Sequence, residues 1–338
     1  MHAVSPRSVL VLGARGRLGL AATRSFAADG WRVIAQARPG AAVTTLPGVT
    51  WLHCDVSDHA ALVSAARGAS VLVHALNPVY TAWDAQAIPL LEAGLGVAEA
   101  LQARLMLPGN VYNFGASMPA LLSEDTPQRA TTRKGQIRIA MEQRLARAAQ
   151  EGAVKSVVIR AGDFFGSGSG TWFDRALVKN INRGRITYPG ALDVPTAWAY
   201  LPDLASAFVR VANRLADPHA PVALFDAFHF QGHALTGSHW LRLLEGMAHE
   251  QRWLADGDDL RVASLPWKLI RIGGVLVPMW RELAEMQYLW DTPHALTGTK
   301  LAALIGPEPR TPLSRAVYAA LQGLGLVGAT GCGLHAWA

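Results

Sequence analysis

The segment SVLVLGARGRLGLAATRSFAADG, residues 8–30, decides how this chain folds. It begins with an unbroken apolar run, continues through a turn with glycines at positions 13, 16 and 19, and ends in a helical pattern. Gly13 permits a sharp turn, Gly16 lets backbone N–H groups approach an anion, and Gly19 allows close packing of helix against strand. A helix that begins at such a turn directs the positive end of its dipole toward the anion. The segment therefore predicts a strand, a phosphate-binding loop and a helix.

The alternation of strands and helices continues from this segment to residue 166. Further apolar segments predict five more strands, at 31–38, 49–56, 70–76, 104–115 and 156–166. Amphipathic segments that predict helices lie between most of them. Short apolar strands that alternate with helices are typical of a parallel sheet covered on both faces. The predicted fold class is therefore α/β, with a Rossmann-like, doubly wound parallel sheet in a dinucleotide-binding domain at residues 1–166.

The pattern changes after residue 166. The segments AWAYLPDLASAFVRVANRL and VALFDAFHFQG predict a strand with a helix and then a further strand. TGSHWLRLLEGMA predicts a helix with Thr236 or Ser238 as its N-cap, and 265–290 is helical and rich in tryptophan. We expect residues 167–338 to form mainly a smaller C-terminal substrate lobe, partly interwoven with the first domain.

The amino-acid composition limits which partners and which cellular compartment are expected for this chain. The chain has 338 residues and a net charge of +6, with five lysines among 31 basic residues. The chain has no run of like charges, so we expect a small-molecule substrate and no nucleic-acid partner. The two cysteines, Cys54 and Cys332, form no CxxC pair, which favours a reducing compartment. Apolar runs too short for a signal peptide or a membrane span favour a cytoplasmic protein with no membrane partner.

The GxxGxxG spacing of GARGRLG resembles the short-chain dehydrogenase/reductase superfamily, in particular its extended epimerase/dehydratase branch. The similarity extends over residues 8–215 and includes HCDVSD (53–58), VLVHALNP (71–78), VVIRAGDFFG (157–166) and AWAYLPDLASA (197–207). It implies a nicotinamide dinucleotide cofactor. The resemblance implies that the cofactor contacts come from Gly13, Arg15, Gly16, Arg17, Leu18, Gly19, Arg38, Asp55, Val56, Ala75, Leu76 and Asn77.

The end of the second predicted strand, VIAQARPG, bears on the choice of cofactor. An NAD site needs a carboxylate there for the ribose 2′-hydroxyl, and this segment has none. Arg38 follows the strand and Arg15 lies in the glycine turn, so two guanidinium groups favour the 2′-phosphate of NADP. The alternative is that both arginines are merely exposed and solvated.

The superfamily's catalytic residues are replaced in this chain. The resemblance aligns Asn110 of LPGNVYNFG with the usual Ser, and in TTRKGQIRIAME it aligns Lys134 and Arg138 with the Tyr and Lys of Tyr-x-x-x-Lys. Asn110 can donate a hydrogen bond to a substrate oxygen, and Arg138 can hold a ribose or phosphate. Lys134 could deliver a proton if its pKa were lowered by the nearby arginine. Alternatively, this is a plain surface helix on which Arg138 and Glu142 form a solvated ion pair.

Other side chains near the ends of the predicted parallel strands are candidate proton carriers. They are Tyr112, Tyr80 and Asp163, each of which could instead have a structural role. Trp172 is a candidate lining residue of the substrate pocket. The histidines of FHFQGHALTGSHW are not at a helical metal-binding spacing, so no metal site is predicted.

These features favour an NADP-dependent oxidoreductase that transfers hydride between nicotinamide and a carbonyl or alcohol on a small, largely apolar substrate. Two alternatives stay open: an NAD(P)-dependent epimerase or dehydratase, and a non-catalytic NAD(P)-binding redox sensor. The superfamily resemblance also suggests a homodimer.

Overall fold

The computed structural model describes residues 7–217 and 222–328, so the expectation about Cys332 lies outside the described residues. Fourteen strands occur in the described part. They are β1 Ser8–Leu12, β2 Arg32–Ala37, β3 Val49–His53, β4 Val71–His74, β5 Arg104–Gly109, β6 Leu121–Leu122, β7 Ser156–Arg160, β8 Asp163–Phe165, β9 Arg185–Tyr188, β10 Thr196–Tyr200, β11 Phe225–His229, β12 His233–Leu235, β13 Arg261–Ser264 and β14 Ala295–Leu296.

Eleven α-helices connect these strands within the same residues. They are α1 Arg17–Ala28, α2 His59–Ala65, α3 Trp83–Leu101, α4 Arg133–Gln150, α5 Leu201–Leu215, α6 Gly237–Glu250, α7 Trp267–Gly273, α8 Pro278–Glu285, α9 Tyr288–Asp291, α10 Thr299–Ile305 and α11 Leu313–Gly323. Short 3-10 turns follow β4 and β5, at Tyr80–Ala82 and Tyr112–Phe114.

The central sheet has seven parallel strands in the order β11-β7-β5-β4-β1-β2-β3. The predicted α/β fold is confirmed. Alternate residues of β1 enter two different cores: Val9 and Val11 pack toward α1 and α5, whereas Leu10 and Leu12 pack toward α2, α3 and α4. Strand order reverses between β1 and β4, and this reversal leaves a ligand crevice at their carboxyl ends.

The two parts of the chain are interwoven. β11 lies at the edge of the seven-stranded sheet beside β7, and α5 packs on α1, although both come from beyond residue 166. The remaining strands form small sheets around a second core, which is centred on Trp198, Trp240 and Trp290. Of the two predicted N-caps of α6, Thr236 is the one observed, and its hydroxyl accepts from the N–H of His239.

Candidate active site

The glycine turn joins β1 to α1 at the point where the strand order reverses. Gly13 has a φ of 73°, and a Cβ there would lie 2.9 Å from the carbonyl oxygen of Ala75. A Cβ on Gly19 would collide with the carbonyl of Gly13. No side chain caps α1, so the first N–H groups of the helix are free for an external acceptor. The turn is therefore a backbone cradle that fits a pyrophosphate.

Gln36 secures this cradle from the neighbouring strand. Its side-chain oxygen accepts from the N–H of Gly13 at 2.9 Å, and its amide nitrogen donates to the carbonyl of Cys54 at 2.8 Å. Gln36 is buried, so both bonds form away from water. Sequence reasoning missed this residue, although one amide in the otherwise apolar strand VIAQA was a visible signal.

The arginines expected at the adenosine end are both exposed. Arg38 follows β2 and Arg15 lies in the turn, and neither forms an ion pair within residues 7–217 and 222–328. Asp55 is exposed nearby and accepts from the backbone N–H and hydroxyl of Ser57, bonds that lower its pKa. Since Ala37 ends β2, the strand offers no carboxylate of its own to a ribose. Arg15 and Arg38 are thus two exposed cations beside the ends of β1 and β2, and neither has an ion-pair partner among the described residues.

Arg17 extends across the crevice and away from the turn. Its guanidinium donates to the carbonyl of Ser169, in the loop after β8, at 3.1 Å. Burial lowers its pKa, and Asp174, on the far side of the crevice, acts in the opposite direction. While its backbone belongs to the cradle, the side chain of Arg17 therefore connects the two lobes.

Lys134 is not on an exposed helix face. Only 1% of it is exposed, and its ammonium forms ion pairs with Glu282 and with Glu285, the latter at 2.8 Å. Both carboxylates come from α8. The ammonium also lies 5.1 Å from the ring centre of Tyr80. The ammonium is thus held by two carboxylates of the second lobe, a structural contact that counts against the predicted role of proton donor.

Arg138 lies one turn further along α4, at the wall of the crevice. It donates to the carbonyl of Pro108 at 3.0 Å, and its guanidinium carbon lies 4.9 Å from the ring centre of Trp83. With Asn77, these side chains border a small crevice beside the segment after β4. The buried Nε of Arg138 has no partner in the described residues. The guanidinium of Arg138 is therefore held in a fixed position, on the same side of the crevice as the glycine turn.

The expected solvated pair between Arg138 and Glu142 is wrong. Glu142 is buried and accepts from the guanidinium of Arg160, on β7, at 2.6 and 3.1 Å. Arg160 also contacts His229 of β11 at 3.1 Å, and burial lowers the pKa of that histidine to about 4. The network fastens α4 to the edge of the sheet, so Glu142 serves the fold.

Two tyrosines meet beside Arg138. The hydroxyls of Tyr80 and Tyr112 are 3.0 Å apart, and each follows a strand of the central sheet. Burial raises the pKa of both, that of Tyr112 well above its ordinary value. Tyr288, brought in by α9, adds a third buried hydroxyl, and burial raises its pKa as well. Sequence reasoning identified the first two but not Tyr288.

Asp163 is the acidic group of this crevice. It begins β8, is half-buried, and raises the pKa of Tyr80, Tyr112 and Tyr288 by its proximity. No described side chain donates a hydrogen bond to its carboxylate. Burial raises the pKa of Asp163 to about 7. It can therefore bind and release a proton near neutrality.

Asn110 is positioned as a donor. Its side-chain oxygen accepts from the N–H of Tyr112 at 3.0 Å, which fixes the amide and leaves the NH₂ group available. Trp172 lies in the second lobe, edge-on to Trp290 at 5.3 Å and half-buried. His229 and His233 are buried and His239 is exposed. In the described part of the chain, no group of three His, Cys, Asp or Glu side chains is placed to hold a metal ion.

A model of the NAD dependent epimerase/dehydratase family matches residues 9–223, more than half of the chain. The chain belongs to this family. The family resemblance inferred from the motifs is thereby confirmed. The match ends just before β11, so it covers the cradle, the crevice residues up to Asp163, and α5, but not Tyr288.

Solved structures of other epimerases are similar over almost their whole length. A putative epimerase from Burkholderia cenocepacia has 19% identity and a TM-score of 0.71, over 95% of this chain and 98% of that chain. A nucleoside-diphosphate-sugar epimerase from Pseudomonas aeruginosa has 16% identity and a TM-score of 0.69, over 95% and 98%. A UDP-glucose-4-epimerase from Stenotrophomonas maltophila, solved with NAD and formylated UDP-arabinopyranose, has 14% identity and a TM-score of 0.71, over 94% and 98%. No curated protein sequence matches the chain.

Proposed function

We propose that this family member is an NADP-dependent oxidoreductase that reduces a carbonyl group on a small, largely apolar substrate. The observation that carries the proposal is the hydrogen-bonded pair of Tyr80 and Tyr112 beside the unpaired carboxyl group of Asp163. This group of side chains lies at the carboxyl ends of the parallel strands, next to a cradle that fits a pyrophosphate.

NADP is proposed because the 2′-phosphate would meet Arg38 and Arg15, both exposed and without ion-pair partners among the described residues. A guanidinium group forms strong bidentate bonds with phosphate. Arg138 would hold the ribose or phosphate in place of the family's lysine. When bound, the nicotinamide supplies or accepts a hydride.

The protein's own residues would handle the substrate oxygen. The NH₂ group of Asn110 donates a hydrogen bond to the carbonyl oxygen and so stabilises the negative charge that develops there. Tyr112 then gives its hydroxyl proton to that oxygen, and Tyr80 replaces it through the 3.0 Å hydrogen bond. Asp163, with a pKa of about 7, would resupply the proton through a bridging water, since neither tyrosine donates a hydrogen bond to its carboxylate.

The direction of the pKa shifts favours a net reductase over an epimerase. A tyrosine whose pKa is raised stays protonated at neutral pH, so it carries the proton that a strongly basic alkoxide accepts and is rarely in the ionised form that a base requires. Epimerisation by transient oxidation needs a base that removes a hydroxyl proton from the substrate. The buried tyrosine pair supports a net reductase better than an epimerase.

Binding and turnover test the proposal together. We expect the purified full-length protein to bind NADPH more tightly than NADH in a fluorescence titration, and to oxidise NADPH with at least one member of a carbonyl panel. Tyr112→Phe should lower kcat by roughly 100-fold, the usual contribution of a positioned acid, and should leave NADPH binding intact. Tyr318→Phe, on α11, is the matched control.

Three results would contradict the proposal in whole or in part. Tight NADPH binding with no turnover over a broad panel would favour the redox sensor. Turnover that is equal in Tyr112→Phe and in the parent protein would exclude Tyr112 as the acid. Interconversion of sugar-nucleotide epimers without net NADPH consumption would favour the epimerase.

A further inference from the structure

The α7–α8 hairpin, residues 267–285, presents a continuous apolar surface that no other described part of the chain covers. Its most exposed side chains are Leu269 at 62%, Ile272 at 72%, Val275 at 86%, Leu276 at 86% and Trp280 at 41%. Single exposed apolar residues are ordinary on protein surfaces, whereas neighbouring ones indicate a binding surface. The two helices pack on each other, and these residues lie at and around the turn between them.

Positive charge accompanies this apolar surface. Residues 265–281 include Lys268, Arg271 and Arg281 and contain no Asp or Glu. Lys268 and Arg271 form no ion pair within the described residues, whereas Arg281 lies 3.5 Å from the carboxylate of Glu282. Arg271 and Arg281 line an open surface depression together with Val275. The cations therefore flank the apolar tip directly.

An apolar tip with a tryptophan and flanking basic residues is the combination that binds the interface of an anionic membrane. Helices α7 and α8 have 7 and 8 residues, so each is far too short to cross a bilayer. No helix among residues 7–217 and 222–328 has the length and hydropathy of a transmembrane segment. Whatever contact the hairpin makes with a membrane is therefore peripheral.

A second copy of the chain is a poorer occupant. A twofold interface centred on the hairpin would bring Lys268 and Arg271 of both copies together, and neither has an acidic partner among the described residues. Like charges at a buried interface are destabilising. Anionic phospholipid headgroups would neutralise the same charges.

We propose that the α7–α8 hairpin binds the surface of an anionic phospholipid bilayer, with its apolar tip in the headgroup region. The expectation from sequence is that the protein has no membrane partner, and co-sedimentation with vesicles distinguishes the two. α8 also carries Glu282 and Glu285, the partners of Lys134, and contacts the turn that begins at Tyr80. The bound hairpin would therefore hold the crevice close to the bilayer.

Co-sedimentation with extruded vesicles tests the proposal. The full-length protein should bind vesicles that contain about 30% phosphatidylglycerol in phosphatidylcholine more tightly than pure phosphatidylcholine, with a difference that falls as salt is added. Leu276→Glu should weaken binding by about tenfold or more, because a charge replaces an apolar contact. Leu224→Glu is the matched control, since Leu224 is an exposed leucine (52%) outside the hairpin.

A second pair of measurements separates lipid contact from loss of folding. Trp fluorescence quenched by brominated phospholipid should lose part of its response in Trp280→Phe, and circular dichroism should show each variant folded. Vesicle binding that is equal in Leu276→Glu and the parent protein would overturn the proposal. So would an absence of vesicle binding combined with a dimer that Leu276→Glu dissociates, because the surface would then join two copies.

Discussion

At the scale of single residues, Asp163 has the most unusual environment in the crevice. Its carboxyl group is half-buried, has no hydrogen-bond donor among the described side chains, and lies near four tyrosines, Tyr80, Tyr112, Tyr188 and Tyr288. Burial disfavours the charged form, which is why its pKa rises to about 7. The folded protein therefore retains a proton on Asp163 at pH values where the unfolded chain has already released it.

This difference predicts a pH dependence of stability. Because the folded pKa is raised, the folded state binds more protons than the unfolded state between about pH 4 and pH 7. The wild type should lose on the order of 4 kcal/mol of unfolding free energy over that window as pH rises, and Asp163→Asn should not. Urea unfolding of both proteins at pH 4.5 and pH 8 measures the difference. Parallel pH profiles for the two proteins would contradict the raised pKa.

Arg38 decides the proposed preference for NADP. In Arg38→Glu, a carboxylate replaces the guanidinium at the end of β2, so it should repel a 2′-phosphate and accept a bond from a 2′-hydroxyl. The ratio of the NADH to the NADPH dissociation constant should fall by about tenfold or more, since charge-assisted bonds contribute about 1.5–3 kcal/mol. Fluorescence titration gives both constants. Arg147→Glu, an exposed arginine on α4, is the control, and an unchanged ratio in Arg38→Glu would mean that NADP is wrongly assigned.

The structural roles of some of these residues could be predicted from the sequence, and the roles of others could not. The glycine turn was predictable because its constraints are local: each glycine meets backbone atoms a few residues away or on the adjacent strand. The partners of Lys134 were not predictable, because Glu282 follows it by 148 positions. Nothing local to α4 distinguishes a buried, paired lysine from a solvated one.

At the scale of secondary-structure elements, the contact between α4 and α8 joins the two lobes. Lys134 is buried between Glu282 and Glu285, and Arg133 also reaches Glu282, at 2.8 Å. A buried ion pair adds little net stability over apolar packing, but removal of one partner leaves an uncompensated charge. The position of α8 therefore depends on the positive charge that Lys134, on α4, places between its two carboxylates.

Lys134→Met should destabilise the protein by about 3 kcal/mol, because two carboxylates lose their buried cation. The double variant Lys134→Met/Glu282→Gln should recover part of that loss. Chemical denaturation of the two single variants, the double variant and the parent protein completes the cycle. Lys155→Met, at an exposed lysine, is the control. Additive effects of the two substitutions would show that the pair is not coupled.

The sequence predicted which segments form strands of the central sheet, but it did not predict which strand lies at the sheet edge. Six strands followed from short apolar runs that alternate with helices, and they form β1, β2, β3, β4, β5 and β7. VALFDAFHFQG was also predicted as a strand, yet its place beside β7 was not. The local pattern of β11 does not encode its partner, which is selected by parallel pairing and by the Glu142–Arg160–His229 network.

At the scale of the whole molecule, the two lobes meet at the crevice through side chains from both halves of the chain. Arg17 reaches the loop after β8, α9 delivers Tyr288, and α8 holds Lys134. The division at residue 166 therefore marks a change in the sequence pattern, but the two parts of the chain pack together across it. The homodimer and the cytoplasmic location stay predictions.

The position of β11 has a consequence for how the chain is made. During synthesis from the N-terminus, β7 is complete at residue 160, but its neighbour begins only at residue 225. Until then β7 is an open sheet edge, and unpaired edges promote aggregation of nascent chains. Protection of that edge during translation then depends on how soon α5 and β11 leave the ribosome. A pause in translation between residues 160 and 229 would prolong the time for which β7 is exposed to aggregation.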